Sequence, residues 1–206
     1  MSDRRDYYKK YYQANKSKWQ GYQKTWRYKK DKARQRVLQY LKENPCISCG
    51  EKDVVVLEFH HTSGQKVTEV NRMLLHGWSW SKIKKEISKC EVLCANCHQK
   101  KTSQKKRCWK VVGIPYHKPT RAKCYSYIQE YLLRNFCVDC GESDMVVLQF
   151  DHNHNKVAPV SALAGNGVSI EILAKEIEKC DVRCANCHKR KTTIDRSWWR
   201  VECSAI

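Results

Sequence analysis

Residues 89–102 read KCEVLCANCHQKKT, and residues 179–192 read KCDVRCANCHKRKT. A CxxCH pattern is the attachment signature of c-type haem, but that chemistry needs export to an oxidising compartment. The N-terminus, MSDRRDYYKK, has no apolar core of the kind a signal peptide carries. Each CANCH has instead an upstream CxxC: Cys46 and Cys49 precede Cys94 and Cys97, and Cys137 and Cys140 precede Cys184 and Cys187. Two CxxC pairs, each biting from a turn, make a tetrahedral four-thiolate zinc site, closed to water and substrate. Two structural Zn²⁺ ions are therefore expected. Cys90 and Cys180 also correspond and read as small buried fillers, while Cys108, Cys124 and Cys203 fall outside the metal pattern.

Working outward, the chain aligns with itself. PCISCGEKDVVVLEFHH (45–61) lies over FCVDCGESDMVVLQFDH (136–152) at an offset of 91, and KEISKCEVLCANCHQKKT lies over KEIEKCDVRCANCHKRKT at 90. Trp109 matches Trp199, and RVLQYLKEN (36–44) resembles YIQEYLLRN (127–135) in character. A duplication accounts for this. The expected organisation is a basic, aromatic helical arm (1–35), a first module (36–112), a linker with Pro115 and Pro119 (113–126), and a second module (127–202). Units this small need a metal to hold a core. VVVLEF and MVVLQF read as short buried strands. Ser79 and Ser169 read as N-caps of helices whose apolar stripes are Trp80, Ile83, Ile87 and Ile170, Leu173, Ile177. The expected fold class is small mixed α/β, helix-rich, with two tandem zinc-stapled modules.

The formal charge is +19 over 206 residues. Residues 1–36 hold 13 Lys/Arg against 3 Asp/Glu, and residues 99–136 hold 10 against 1; the rest is balanced. Such concentration favours a polyanionic partner, nucleic acid foremost. In the arm, Tyr8, Tyr12, Trp19, Tyr22 and Trp26 recur at helical spacing. They read as a stripe docking inward, with Lys9, Lys10, Lys24, Arg27, Lys29 and Lys30 facing phosphates. The tails KKTSQKKR (100–107) and KRKTTIDR (189–196) add Lys100, Lys101, Lys189, Arg190 and Lys191 as DNA-binding candidates. No apolar run reaches membrane-spanning length, so a cytoplasmic or nuclear protein is expected, not secreted and with no membrane partner. Thirteen cysteines in a reducing compartment suit metal rather than disulfides.

The zinc leaves histidines over. His60-His61 and Asp151-His152 end the strands, and His98 and His188 follow the last cysteine of each pair. Three donor positions recurring twice, with His exchanged for Asp at one, suit a second, divalent-cation site.

On these residues the chain resembles the HNH nucleases with their ββα-metal fold, in the phage-type branch that carries FHH and CANCH within one zinc-stapled module. The resemblance spans about 145 of the 206 residues. It implies that His61 and His152 are general bases, and that His60, His98, Asp151 and His188 hold a catalytic Mg²⁺, Mn²⁺ or Zn²⁺. One position departs from the family. The middle Asn, which orients the base, is replaced by Lys89 and Lys179, leaving Asn96 and Asn186 as candidate orienting groups. His154 has no counterpart in the first copy and is a candidate phosphate contact.

The implied function is a metal-dependent DNA endonuclease that hydrolyses phosphodiester bonds. Homing or other site-specific cleavage by two sites in one monomeric pseudo-dimer would suit it, with branched DNA or RNA as further substrates. The alternatives are a nickase with one active module, the Asp151 copy being the more typical, and a non-catalytic zinc-stapled nucleic-acid-binding protein.

Overall fold

A computed structural model describes residues 3–105, 119–195 and 199–202. Cys108, Trp109, Pro115 and Cys203, with the end of the first basic tail, lie outside the described residues. The fold is helix-rich mixed α/β with two two-stranded sheets: β1 (Leu57–His61) with β2 (Cys90–Cys94), and β3 (Leu148–His152) with β4 (Cys180–Cys184). Among the described residues no helix is long and apolar enough to cross a membrane. The chain divides into two compact units, Met1–Glu43 with Phe59–Glu91 and Asn44–Glu58 with Val92–Ile206. The first zinc motif thus belongs to the same unit as the whole second module.

In the first unit, α1 (Asp3–Glu43) is a single helix of 41 residues, unbroken where the arm was expected to give way to the module. Ala33, Val37, Leu38 and Leu41 form its buried face, and α1 packs on α2 (Val70–Leu75), which packs on α3 (Trp80–Ile87). Burying Val37 and Leu41 completely contributes about 1.5–3 kcal/mol each. The inward stripe expected of the arm is not observed: Tyr8, Tyr12, Trp19 and Tyr22 are all exposed. At about 1.5 Å per residue α1 runs roughly 60 Å, and its buried apolar residues all lie between Ala33 and Leu41. Trp26 is the stripe residue that docks, over Gly77, where any Cβ would collide with the indole. Ile83 and Ile87 are buried as their spacing predicts, and Arg36 lies over the Trp80 ring. Ser79 is the N-cap of α3, although its side chain caps no backbone N–H.

In the second unit, α4 (Ala95–Lys105) continues β2 and packs against α8 (Ala185–Asp195), which continues β4. The second module is complete within it: α5 (Pro119–Arg134), β3, α6 (Val160–Asn166), α7 (Ile170–Ile177), β4 and α8, followed by α9 (Trp199–Glu202). Residues 119–126, expected as linker, form the first half of α5; Pro119 opens it, where the missing N–H costs nothing. Ile128, Leu132, Leu148, Val160, Leu173 and Ile177 share one core. The strands pair antiparallel, Leu148 with Cys184 through His152 with Cys180. They begin later than VVVLEF and MVVLQF suggest. Asp53 and Asp144 each accept a backbone N–H two residues on, from Val55 and Val146 at 2.9 Å, and so hold the valines in a turn. Ser169 caps α7 by accepting from the Ile172 N–H.

Candidate metal centres and catalytic residues

Both cysteine sets converge. The Sγ atoms of Cys46, Cys49, Cys94 and Cys97 lie within 4.8 Å of one another, as do those of Cys137, Cys140, Cys184 and Cys187. Cys49–Cys94 and Cys140–Cys184 are 3.7 and 3.8 Å apart. A tetrahedron with bonds of about 2.3 Å has edges of about 3.8 Å, so the donors fit zinc. Each CxxC turn closes on a glycine in the left-handed region, Gly50 at φ 76° and Gly141 at φ 72°, with open space around it. Conformation, not crowding, demands glycine there. Burial works to raise the Cys46 and Cys137 thiols, but backbone N–H groups outweigh it and bring both to about 7. Burial and neighbouring thiols push Cys97 and Cys187 up, a cost that a bound cation would remove.

His152 donates from Nε2 to Glu176 Oε1 at 2.9 Å. The same oxygen accepts from the Val157 and Ala158 amides at 2.8 and 3.2 Å, and Lys179 Nζ donates to Oε2 at 2.7 Å. Lys179 foremost, then these amides and His152, bring Glu176 down to about 2, so it is a carboxylate. The other ring nitrogen of His152, Nδ1, then carries the lone pair. The first unit repeats the device: His61 Nε2 donates to Glu86 Oε1 at 2.8 Å, Val67 N–H to the same oxygen at 2.9 Å, and Lys89 Nζ to Oε2 at 2.6 Å. There burial works against ionisation, yet Lys89, the Val67 amide and His61 still bring Glu86 to about 2. Lys89 and Lys179, standing where the HNH pattern has its Asn, thus grip the carboxylate that holds the histidine.

That carboxylate is the residue sequence reasoning missed. Its signal was present: Glu86 and Glu176 lie between Ile83 and Ile87, and Leu173 and Ile177, on the buried face of an amphipathic helix in both copies. Asn96 and Asn186, the candidate orienting groups, do something else. Asn186 Oδ1 accepts the Asn96 N–H at 3.0 Å and Asn96 Oδ1 accepts the Asn186 N–H at 2.9 Å. Each satisfies an orphan amide in the first turn of the other's helix.

Asp151 and His152 project to opposite sides of β3, as strand alternation requires. Asp151 Oδ1 lies 3.5 Å from His188 Nε2. Two donors bonded at about 2.1 Å to one cation, near the tetrahedral angle, would be about 3.4 Å apart, so a divalent ion fits between them. Asp151 Oδ2 accepts from Arg183 and Lys191 at 2.9 and 2.8 Å. Burial pushes His188 down, against the pull of Asp151, and so favours the neutral imidazole that metal binding needs. His60 is buried on β1, and His98 stands in the first turn of α4 with its Nδ1 2.6 Å from Glu58 Oε2. His154 is exposed.

The basic candidates divide. Lys9, Lys10, Lys24, Arg27 and Lys29 are exposed on α1, and Lys30 lies 4.6 Å over the Trp26 ring. Lys101 is half-buried on α4. Lys100 pairs with Asp144 at 2.9 Å; Arg190, its counterpart, pairs with Asp53 and Glu51, both at 2.7 Å. Lys189 pairs with Glu58 at 2.5 Å, and burial lowers its pKa. Lys100, Lys189 and Arg190 therefore tie the first zinc knuckle and α4 to the second module. Asn96, Gln99 and Lys100 share one face of α4, an i, i+3, i+4 pattern that marks a packed face. Cys90 and Cys180 are half-buried rather than buried. Their thiols donate to the Glu86 and Glu176 carbonyls at 3.3 Å, and burial holds both at about 11. Between α4 and α8 runs a groove of about 630 Å³ lined by Glu58, His98, Gln149 and His188, so both closing histidines open into one space.

Neither the protein-family models, nor the curated proteins, nor the solved structures yield a match to this chain.

Proposed function

We propose that this chain is a metal-dependent endonuclease of the HNH type that hydrolyses phosphodiester bonds in double-stranded DNA as a monomeric pseudo-dimer. The observation that carries the reading is the second module's grouping. A histidine held by a buried carboxylate, His152 on Glu176, ends the same strand as a carboxylate 3.5 Å from a second imidazole, Asp151 and His188.

The chemistry follows from the donor set. With Nε2–H fixed on Glu176, His152 Nδ1 accepts a proton from water, and Glu176 stabilises the imidazolium that forms. Asp151 and His188 would hold a divalent cation, which when bound stabilises negative charge on the scissile phosphate and the leaving 3′ oxygen. Because His152 and Asp151 face opposite ways, the base stays off the metal while its neighbour binds it. His61, held by Glu86, would serve the first copy as its base in the same way. The exposed lysines and Arg27 of α1 would meet DNA phosphates.

A second reading, nicking by one module, is favoured by one asymmetry. Asp151 is clamped by Arg183, where the first copy has Leu93. Incubation of zinc-loaded protein with supercoiled plasmids carrying a randomised-site library, with Mg²⁺ or Mn²⁺, tests both. Linear product that falls to nicked circles in His61→Ala or His152→Ala, and to nothing in the double variant, supports two cutting sites. Nicking abolished by one variant alone supports the second reading. A gel shift without cleavage under any metal defeats the enzyme and leaves a zinc-stapled nucleic-acid-binding protein.

A further inference from the structure

We propose that the two CANCH helices fix each other's closing histidine in its metal-binding tautomer, each relay starting from a residue of the other module, Gln99 for His188 and Lys189 for His98. The chain of donors is determinate on the second-module side. Val146 O can only accept, so the group that Gln99 turns toward it at 2.7 Å is its NH₂. Gln99 Oε1 is then the acceptor that Gln149 Nε2 meets at 3.0 Å. That leaves Gln149 Oε1 facing His188 Nδ1 at 2.7 Å. An amide oxygen cannot donate, so the imidazole carries its proton on Nδ1 and its lone pair on Nε2, the nitrogen facing Asp151.

The same positions act in reverse on the other side. Lys189 is the counterpart of Gln99, one residue after the closing histidine, and Glu58 is the counterpart of Gln149. Lys189 Nζ donates to Glu58 Oε1 at 2.5 Å, and Glu58 Oε2 accepts from His98 Nδ1 at 2.6 Å. A carboxylate already gripped by an ammonium accepts and does not donate, so His98 also presents Nε2. One relay is neutral, Gln99–Gln149–His188; the other is ionic, Lys189–Glu58–His98. The pairs are matched as units. Gln149→Glu alone would set a carboxylate against either Gln99 Oε1 or, if that amide turned over, force Oε1 against Val146 O. Gln99→Lys together with Gln149→Glu would rebuild on one side the relay that exists on the other. Outer hydrogen bonds of this kind typically change metal affinity 10–100-fold.

The inference rests on reading His188 and Asp151 as cation ligands, and its test needs no cleavage. The full chain, zinc-loaded and otherwise free of divalent ions, is labelled with ¹⁵N at histidine, and the ring nitrogens of His188 are assigned with a His188→Gln variant. Wild type is expected to show protonated Nδ1 and bare Nε2. Gln99→Leu and Gln149→Leu should each move His188 toward the Nε2–H form and weaken Mn²⁺ binding at that site at least 10-fold, with His98 unmoved. The double Gln99→Lys, Gln149→Glu variant should keep both as in wild type. Wild-type His188 protonated on Nε2, or a tautomer indifferent to Gln99, overturns the relay even if DNA is cut. A relay that behaves as described in a protein that never cuts DNA would stand, while the nuclease reading fell.

Discussion

Arg200 is fully buried, and its Nη1 donates to the carbonyls of Val54 and Leu57 at 2.8 and 2.7 Å, on the turn that leads from the first zinc knuckle into β1. Replacing it with methionine keeps most of the volume and removes both donors. Hydrogen bonds from a charged donor contribute about 1.5–3 kcal/mol each, so the gross loss is roughly 3–6 kcal/mol. Burial opposes this. It pulls the guanidinium from its ordinary 12.5 down to about 10, against the attraction of Glu58 and Asp53. At about 1.4 kcal/mol per unit, methionine recovers roughly 3 kcal/mol of that strain. The difference is about 0–3 kcal/mol, and the stranded carbonyls, with no water to turn to, put the net destabilisation in the upper part of that range, about 1–3 kcal/mol. Urea unfolding of the zinc-loaded protein, followed by circular dichroism, should show the Arg200→Met midpoint lowered by roughly 0.5–1.5 M at an m-value of about 2 kcal/mol/M. Arg200→Lys keeps the charge but shortens the reach, and should be no better than methionine. An unchanged or raised midpoint in Arg200→Met would refute the reasoning, since the burial cost would then equal everything the two bonds supply.

Three other outcomes follow from the same geometry. Glu176→Gln has one oxygen to set against His152, two amides and Lys179; cleavage attributable to the second module should fall about 10²-fold or more with zinc content intact, measured on plasmid in a His61→Ala background. Asn96→Ala should cost about 1 kcal/mol and speed exchange of the Asn186 amide about five-fold, as Asn186→Ala should for Asn96, read by hydrogen exchange. His98 and Lys189 hold Glu58 at about 2 in the folded state although burial opposes ionisation. A depressed carboxylate supports the fold above its ordinary value of about 4.5 and loses that support as pH falls toward 2, so the gap in urea midpoint between wild type and Glu58→Gln should narrow from about pH 6 to about pH 3.

The sequence by itself determined the duplication, both cysteine sets and the amphipathic helices before them, because CxxC spacing, a required glycine and a 3.6-residue period are local properties. It also placed the donors His60, His61, His98, Asp151, His152 and His188 at strand ends and helix starts. It did not determine what each donor faces. Glu86 and Glu176 are ordinary members of amphipathic helices until tertiary packing buries them under a histidine. Asn96 and Asn186, 90 residues apart, find each other only when α4 lies on α8. Lys189, Arg190 and Lys100 read as free positive charge in the chain, yet Lys189 reaches Glu58 across 131 residues and Arg190 reaches Asp53 across 137. Charge in a sequence is a total, whereas the field at an atom depends on which opposite charge lies within a few ångströms. That distance is set only when both copies of the motif pack together.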